Sequence, residues 1–498
     1  MLKASLWFLA VGLACLALAD VEVVTLDPWG ELGRLLSGFA RPDLGALPAL
    51  GQPLLNTVTF AFCGLSLAVV LGSGLAFFFE RRLVRLGCAA VRAVHEIFWA
   101  FLFLPMVGLN PVCGILAIAT PYAGVFAKVY AEILQEADRR PMQALPPGSS
   151  AVSRFCYGVL PIIWPNLKAY TSYRLECALR SSAVLGFIGL PTLGFHLETA
   201  FREGLYGEAA ALLYAFYLLI ASLRYWVRPR LVVLWAALSA WAVSPEVHLS
   251  WANVQRFLTW EILPWPMRRE GFFDGSLDVA FPVDQVWAWF AQLVGGQVLP
   301  GLWNTVLLTQ AALAATGLFA VVFLGVACRH VSPAAVRRLV HFGLIVGRTT
   351  PEYILAYVFL QLWGPSMLPA LVAILLHNGA ILSYLGAGSA NVMRLRLDAP
   401  RRALDRYAWE VLPRVYGQFL AFLFYRWEVM MRESAILGIL GVTTLGFFID
   451  SAIAEDKLDQ AVVLIGFTAL LNMGIDSISQ VVRRRLRLAS GASLAVAD

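Results

Sequence analysis

Two short stretches of the chain place arginines and glutamates where apolar sequence of membrane-spanning length begins. They contain Arg174, Glu176 and Arg180, and then Arg426, Glu428 and Arg432. A glutamate and an arginine four residues apart lie on one face of a helix, where they can form an ion pair. An arginine guanidinium can instead donate two parallel hydrogen bonds to an oxyanion. The residues therefore favour two interpretations, a structural ion pair that fixes each helix or a binding site for an anion.

The two stretches are copies of one another. Residues 173–195 and 425–447 share 13 identities in 23 positions, at a constant spacing of 252. Other segments recur at similar spacings, namely LLNTV (54–58) with LWNTV (302–306) and VRAVHEIFWA (91–100) with GRTTPEYILA (347–356). We therefore predict two homologous halves, residues 1–227 and 228–498, joined near residues 224–230.

The composition is that of a polytopic membrane protein. The 498 residues are 59% hydrophobic and 14% charged, whereas soluble domains carry about 25% charged residues. Each half contains six apolar stretches, and we predict an all-α fold with spans near 4–20, 54–79, 94–109, 111–131, 165–190, 207–226, 229–245, 302–327, 349–364, 366–387, 417–442 and 460–480. An even number of spans in each half makes the repeats parallel, related by an axis along the membrane normal.

The basic residues lie mainly on one side of the predicted membrane. Of the 38 lysines and arginines, 26 fall in segments on that side and seven in the opposite loops. This bias places the basic segments and both termini in the cytoplasm, and it accounts for the net charge of +6 without a nucleic-acid partner. Residues 1–20 look like a secretory signal, but an apolar run also opens the second half, so we expect an uncleaved first span.

The sequence offers no pattern for catalysis or for metal binding. The seven cysteines form no CxxC pair, and the six histidines are dispersed. We expect His95 and His377 to be satisfied core histidines rather than metal ligands. No lysine follows a glycine, so the Gly-Lys-Ser/Thr of a phosphate-binding P-loop is absent. We therefore expect no enzyme activity, no metal and no cofactor in this chain.

Two long polar segments precede the repeated stretches, namely residues 131–161 and 389–413. Each of them ends in Leu-Pro, and together with the repeated stretches they resemble a known family. YGVLP (157–161) followed by YTSYRLECALRSSAVLGFIGLPTLGF (170–195) resembles the permease subunits of phosphonate-type ABC importers. RTTPEYILA (348–356) and FARPD (39–43) are similar to the same family. The resemblance covers most of both halves. It implies a type I importer permease fold in which two permease subunits, normally separate, are fused in one chain.

In this family a cytoplasmic coupling helix docks on the ATPase, and its motif begins with Glu-Ala-Ala, continues to a glycine and ends in Leu-Pro. The resemblance assigns this role to two loops through Gln143, Ala144, Gly148, Leu160 and Pro161, and through Asp398, Pro400, Leu412 and Pro413. Both loops depart from the motif, because Met142 and Arg394 stand at the glutamate position and Pro400 at the second glycine position. Pro146-Pro147 should also interrupt any helix in the first loop.

The resemblance further implies a function. The chain would carry a phosphonate, phosphite or hypophosphite across the bacterial inner membrane, with ATP bound by a separate ATPase in two copies and cargo delivered by an external binding protein. The pseudo-twofold relation of the repeats adds the hypothesis that Arg180 and Arg432 face each other across the path. The glycines that follow permit close helix approach or a turn beside the gate, namely Gly186, Gly189, Gly194, Gly438, Gly441 and Gly446.

Two alternatives remain open from the sequence. The same machine could carry thiosulfate, ferric ion or a polyamine, because cargo choice can rest with the binding protein. A secondary transporter driven by an ion gradient is a different class, and it has no need for two long cytoplasmic loops at matching positions.

Overall fold

The computed structural model describes residues 2–45, 50–146, 148–228, 231–243, 250–268 and 283–486. Within these ranges the regular structure is entirely helical, without a strand. The predicted all-α class is therefore confirmed.

The first eleven helices come from residues 2–243. They are α1 (Leu2–Leu18), α2 (Pro28–Ala40), α3 (Gly51–Ala76), α4 (Arg82–Ala93), α5 (Glu96–Val107), α6 (Pro111–Glu136), α7 (Ala151–Ser153), α8 (Leu160–Val184), α9 (Leu193–Arg202), α10 (Tyr206–Trp226) and α11 (Val232–Val243). The ends of α6 follow the sequence closely, because Asn110 caps its first turn by accepting a hydrogen bond from the Val112 amide and Pro111 occupies the first position, where a missing N–H costs nothing.

The remaining helices come from residues 251–485. They are α12 (Trp251–Arg256), α13 (Val283–Leu293), α14 (Leu299–Ala327), α15 (Ala334–Thr349), α16 (Glu352–Trp363), α17 (Met367–Val392), α18 (Ala403–Arg406), α19 (Leu412–Ile439), α20 (Leu445–Ala454) and α21 (Leu458–Arg485). A π-helical turn, Val294–Val298, joins α13 to α14.

Six of the described helices are long and apolar enough to cross a membrane, and two bent helix pairs raise that number to eight if each pair forms one span. They include α3, α6, α14 (continuous with α13), α17 and α21. Each of the twelve predicted spans overlaps a described helix, but α1, α5, α11 and α16 have only 17, 12, 12 and 12 residues. The helix α19, predicted as the span 417–442, has 28 residues but is not among the helices apolar enough to cross a membrane. The polytopic character is confirmed, whereas the parallel arrangement of the repeats remains a prediction.

The chain folds into two compact units that do not follow the chain order strictly. The described residues of 37–255 form one, called the N-unit here, and those of 1–36 and 256–491 form the other, called the C-unit. The helix α1 thus belongs to the C-unit, although it begins the first half of the sequence. The helix α11 belongs to the N-unit, although it begins the second half. The boundary at 227/228 concerns the sequence repeat and remains a prediction.

Each unit is built around one long apolar helix. In the N-unit α3 packs against α6, α8 and α11, while α6 also contacts α4 and α5. In the C-unit α14 packs against α17, α19 and α1, while α17 also contacts α15 and α16. Phe8 of α1 places its ring 4.9 Å from that of Phe424 in α19, a normal separation for packed aromatic rings. The same framework therefore occurs twice, and it positions α8 and α19, which carry the repeated arginines.

Candidate functional site

Glycines in each copy of the repeated stretch bring two helices into backbone contact. In the N-unit a Cβ atom added to Gly194, in α9, would overlap the carbonyl oxygen of Ala183 in α8. In the C-unit a Cβ atom on Gly446, in α20, would overlap the carbonyl oxygen of Ala435 in α19. The predicted close helix approach is therefore confirmed at both positions. Whether these crossings form a gate remains a prediction.

The turn between the two crossing helices also needs glycine. Gly186 and Gly438 lie against the backbone of the helix that follows, where a Cβ atom would overlap an amide nitrogen. Gly189 and Gly441 have φ angles of 88° and 89°, in the left-handed region that other residues rarely adopt. The six repeated glycines thus have two structural roles, close backbone approach and a left-handed turn.

The asparagine of the repeated Asn-Thr motif holds this turn from the neighbouring helix. In the N-unit Asn56 Nδ2 donates to the carbonyl oxygen of Pro191 at 2.9 Å. In the C-unit Asn304 Nδ2 donates to the carbonyl oxygen of Thr443 at 2.8 Å. Pro191 and Thr443 occupy equivalent positions of the repeat, so the same side chain serves the same purpose in both units.

The threonine of the motif completes the attachment. Thr57 Oγ1 accepts a hydrogen bond from the Leu193 amide at 2.9 Å, and Thr305 Oγ1 accepts one from the Leu445 amide at 3.1 Å. These amides belong to the first turns of α9 and α20, which lack intrahelical partners. The repeat of LLNTV and LWNTV in the sequence is thereby explained by hydrogen bonding.

The arginine that opens the repeated stretch has an aromatic environment in the N-unit. Arg174 Nε donates to Tyr170 Oη at 2.8 Å. The guanidinium carbon also lies 5.4 Å from the ring centres of Tyr122 and Tyr170 and 5.9 Å from that of Tyr173. Ring faces attract cations at such distances. The tyrosines therefore stabilise the positive charge of Arg174.

A series of hydrogen bonds links three helices of the N-unit near this arginine. Ser181 Oγ donates to Glu96 Oε1 at 2.6 Å, and the hydroxyl of Tyr122 lies 3.0 Å from the same serine oxygen. Glu96 begins α5, Tyr122 belongs to α6 and Ser181 to α8. Three helices are thus tied together by one buried hydrogen-bond chain.

The equivalent arginine of the C-unit is held by an ion pair instead. Arg426 NH2 lies 3.1 Å from Glu433 Oε1, and its Nε donates to Asn378 Oδ1 at 2.6 Å. Asn378 Nδ2 in turn donates to Glu433 Oε2 at 2.9 Å. The side chains of Arg426 and Glu433 are only 13% and 11% exposed. Glu433 and Asn378 therefore hold Arg426 within the unit.

The two networks use corresponding positions with different residues. Ser181 corresponds to Glu433 at the constant spacing of 252, and Tyr122 corresponds to Asn378 at 256, the spacing that also relates Glu96 to Glu352. The absence of an acidic residue at Ser181 is visible in the sequence. The residues of α6 and α17 that contact the arginines, Tyr122 and Asn378, could not be identified from the sequence. No spacing along the chain links those helices to the arginines.

The two predicted glutamate–arginine pairs can be compared with the structure. Arg180 NH2 lies 4.0 Å from Glu176 Oε1, with side chains 19% and 38% exposed, so the predicted i,i+4 pair forms at the outer limit of an ion pair. In the C-unit Glu428 is buried and Arg432 is partly buried. Whether any of these residues lines a translocation path remains a prediction.

Comparisons with known proteins identify the relatives of this chain. It is 25% identical over 501 residues to the phosphate-import permease protein PhnE of Mycolicibacterium smegmatis, which covers 94% of the chain and 92% of the relative. It is 28% identical to the phosphite transport system permease protein PtxC of Stutzerimonas stutzeri, over 41% of the chain and 79% of the relative. It is 30% identical to a cryptic phosphonate transport system permease protein, PhnE2 of Escherichia coli, over 20% of the chain and 81% of the relative.

The last match decides the family. The chain belongs to the permease family of phosphonate-type transport systems. No family model matches the chain, and no solved structure matches it either. The relative from Mycolicibacterium smegmatis matches nearly the whole chain, whereas PtxC matches less than half of it. These lengths agree with two permease halves fused in one chain.

The two loops that the sequence resemblance assigns to coupling share one arginine contact. Arg154 Nε donates to the carbonyl oxygen of Ser149 at 3.0 Å. At the equivalent position Arg406 donates to the carbonyl oxygen of Arg401 at 2.7 Å and to that of Pro400 at 3.0 Å. In each loop the arginine holds the turn that leads into a helix. The turn therefore persists although Pro400 replaces the family glycine.

The first loop that the resemblance assigns to coupling, residues 131–161, contains among its described residues only short helical elements between the end of α6 and the start of α8. Its 3₁₀ turn, Arg140–Ala144, contains Gln143 and Ala144. Gly148 has a φ angle of 90°, and Ser150 caps α7 by accepting a hydrogen bond from the Ser153 amide at 3.1 Å. Leu160-Pro161 and Leu412-Pro413 begin α8 and α19, where proline is tolerated because the first-turn amides lack intrahelical partners.

The second loop is held by a buried carboxylate. Glu410 is 4% exposed, and it accepts hydrogen bonds from Arg414 NH1 at 2.7 Å and from the Arg396 amide at 3.2 Å. Arg406 also donates to the carbonyl oxygen of His330 at 2.7 Å. Burial, with a smaller contribution from nearby Arg329, lowers the pKa of His330, so this imidazole is neutral at pH 7. The loop around Asp398 is thus anchored without the family's acidic motif residue.

The crossing of α19 and α20 predicts the effect of one substitution. Gly446→Ala should lower the free energy of unfolding by about 1–3 kcal/mol, because the added methyl group overlaps the Ala435 carbonyl oxygen and forces the helices apart. Gly466→Ala is the matched control, since no atom lies within 4 Å of a Cβ added there. Thermal unfolding of the purified proteins in detergent measures both. Equal melting temperatures for wild type and Gly446→Ala would contradict the crossing.

Proposed function

We propose that this chain is a fused pair of permease halves for an ABC importer of anionic phosphorus compounds. The observation that carries the proposal is the chain-long match to a phosphate-import permease together with shorter matches to phosphite and phosphonate permeases. Phosphate, phosphite and phosphonate share a tetrahedral phosphorus with anionic oxygens. The cargo is accordingly a small phosphorus oxyanion, and it moves into the cytoplasm.

The energy for transport comes from a separate ATPase, since no lysine of this chain follows a glycine as a P-loop requires. Two features support docking of ATPase subunits on the coupling loops. Val152 and Leu404, at equivalent positions, are 72% and 78% exposed, and Tyr157 and Trp409 are 75% and 78% exposed. Large apolar side chains exposed at matching positions of both loops are typical of an interaction surface.

Delivery of the cargo requires a binding protein on the opposite side of the membrane. We place the chain in a bacterial inner membrane with the basic segments and both termini in the cytoplasm, because 26 of 38 basic residues fall in segments on that side. The two units then open in turn to the outside and to the cytoplasm.

Arg180 and Arg432 are the residues that we assign to contact with the anion. Arg426 already has a carboxylate partner at 3.1 Å, and three tyrosine rings surround Arg174. The carboxylate of Glu176 lies 4.0 Å from Arg180, at the outer limit of an ion pair. A guanidinium offers such an anion two parallel hydrogen bonds, while Glu176 keeps the attraction weak enough for release.

Uptake of a radiolabelled phosphonate tests the proposed function directly. Cells carrying this chain with the neighbouring ATPase and binding-protein genes should accumulate the label. Unlabelled phosphite, hypophosphite and phosphate should compete, and thiosulfate should not. Depletion of ATP should abolish uptake. Uptake that survives ATP depletion while an ion gradient is maintained would contradict the ABC mechanism, and competition by thiosulfate alone would contradict the cargo class.

Substitution of the two arginines tests their assignment. Arg180→Gln and Arg432→Gln should each reduce uptake about tenfold or more, because a charge-assisted hydrogen bond contributes about 1.5–3 kcal/mol. The amount of protein in the membrane and the copurification of the ATPase should not change. The control is Arg202→Gln, whose side chain is 71% exposed on α9. Normal uptake by both variants, or loss of folded protein, would favour the structural interpretation.

A further inference from the structure

Three potential metal ligands from different helices meet inside the C-unit. They are Glu352 at the start of α16, His377 in α17 and Glu433 in α19, and one ligand atom of each lies within 4.8 Å of the others. His377 is 2% exposed and Glu433 is 9% exposed. Ionisable groups at such depth in a membrane protein are costly and usually serve a specific purpose.

The ring of His377 is oriented as in a metal ligand. Its Nδ1 lies 2.8 Å from the carbonyl oxygen of Thr350, and because a carbonyl oxygen only accepts hydrogen bonds, Nδ1 carries a proton. The other nitrogen, Nε2, faces Glu352 Oε2 at 3.8 Å. Metal-binding histidines almost always donate from the second nitrogen to a carbonyl or carboxylate in this manner, which fixes the ring and its lone pair.

The distance between His377 and Glu352 favours a shared cation over a direct hydrogen bond. A protonated imidazole would approach a carboxylate to about 2.7–2.9 Å, well below the observed 3.8 Å. Two ligands on one metal ion, each with a bond of about 2.0–2.2 Å, are separated by about 3.3–4.2 Å, depending on the angle between them. The observed separation falls within that range.

The surroundings of Glu433 complete the second coordination shell. Its two oxygens accept hydrogen bonds from Arg426 and Asn378 at 3.1 and 2.9 Å, and each oxygen has a second lone pair for a metal. Ligating carboxylates are usually hydrogen-bonded in this manner. The charges of both Arg426 and Arg432 act on Glu433, so these two arginines formally balance Glu352 and Glu433 when His377 is neutral.

The corresponding region of the N-unit has a different chemistry. Pro121 and Ser181 occupy the positions equivalent to His377 and Glu433, so of the three ligands only Glu96 is retained. His95 lies 3.7 Å from Glu96, but its Nδ1 accepts a hydrogen bond from the Ile97 amide, which leaves the proton on the nitrogen that faces the carboxylate. The ligand set is therefore specific to the C-unit.

We propose that Glu352, His377 and Glu433 bind one divalent transition-metal ion, Zn²⁺ or Mn²⁺, with nitrogen and oxygen ligands that suit both ions. The ion joins α16, α17 and α19 and fixes Glu433, which in turn holds Arg426. It is a structural ion of the C-unit and its presence does not depend on which cargo the permease carries. The sequence predicted no metal site, because the three ligands are 25 and 56 residues apart along the chain and match no known spacing.

The metal content of the purified full-length chain tests this proposal. The protein is prepared in detergent with a tag that contains no histidine, treated with a chelator, and then titrated with ZnCl₂ or MnCl₂. We expect about one equivalent of metal per chain, from the one cluster of such ligands among the described residues, and a rise in melting temperature on binding. His377→Ala and Glu352→Gln should weaken binding at least about 100-fold, beyond the 10–100-fold effect of second-shell changes.

The control variant is His341→Ala, because His341 lies on α15 with its ring 5.8 Å from that of Tyr384, outside the cluster. It should bind the metal as wild type does. Should His377→Ala fail to fold, Glu352→Gln and the chelated wild type still decide the question. Wild-type protein that binds less than about 0.1 equivalent, or that binds equally with and without His377, would overturn the proposal.

Discussion

Lipid hydrocarbon offers no hydrogen-bond partner, so each charge within the membrane-spanning helices must be balanced by other groups of the protein. A charge buried in the protein interior is under the same constraint, which governs the arrangement of α8 and α19, the helices that carry the repeated arginines. In the C-unit the Arg426 guanidinium is balanced by the Glu433 carboxylate and by Asn378. In the N-unit Arg174 is stabilised by a tyrosine hydroxyl and three tyrosine rings.

The two units stabilise the repeated arginine with different residues, and the differences occur together at several equivalent positions. A glutamate at position 433 is accompanied by Asn378 and His377 on α17, whereas a serine at the equivalent position 181 is accompanied by Tyr122 on α6. The acidic residue that begins α16 in one unit and α5 in the other is common to both. Repeated helices thus provide one framework, and its buried polar groups have diverged together because an unpartnered charge in either unit would be costly.

Much of the framework could be predicted from the sequence. Apolar stretches of the right length located the long helices, and the spacing of Glu176 and Arg180 predicted the ion pair that forms at 4.0 Å. The repeated glycines predicted close helix contact. These features depend on local periodicity, which a single chain displays directly.

Features that depend on distant contacts could not be predicted in this way. Glu433 lies seven residues after Arg426, two helical turns away, and long side chains are needed to join them. Asn378 and His377 belong to another helix, and only the fold brings them to α19. The helix α1 provides a further example, because nothing in its apolar sequence indicates that it belongs with residues 256–491.

A double-mutant cycle shows whether Glu433 balances the buried arginine of the C-unit. The free energy of unfolding in detergent is measured for Arg426→Gln, Glu433→Gln and the double variant, with Arg180→Gln and Glu176→Gln as the reference pair. Each single change in the C-unit should cost about 3–5 kcal/mol, and the double variant should cost much less than their sum. The reference pair should show a coupling below about 1 kcal/mol. Additive losses within about 0.5 kcal/mol for Arg426 and Glu433 would contradict the account.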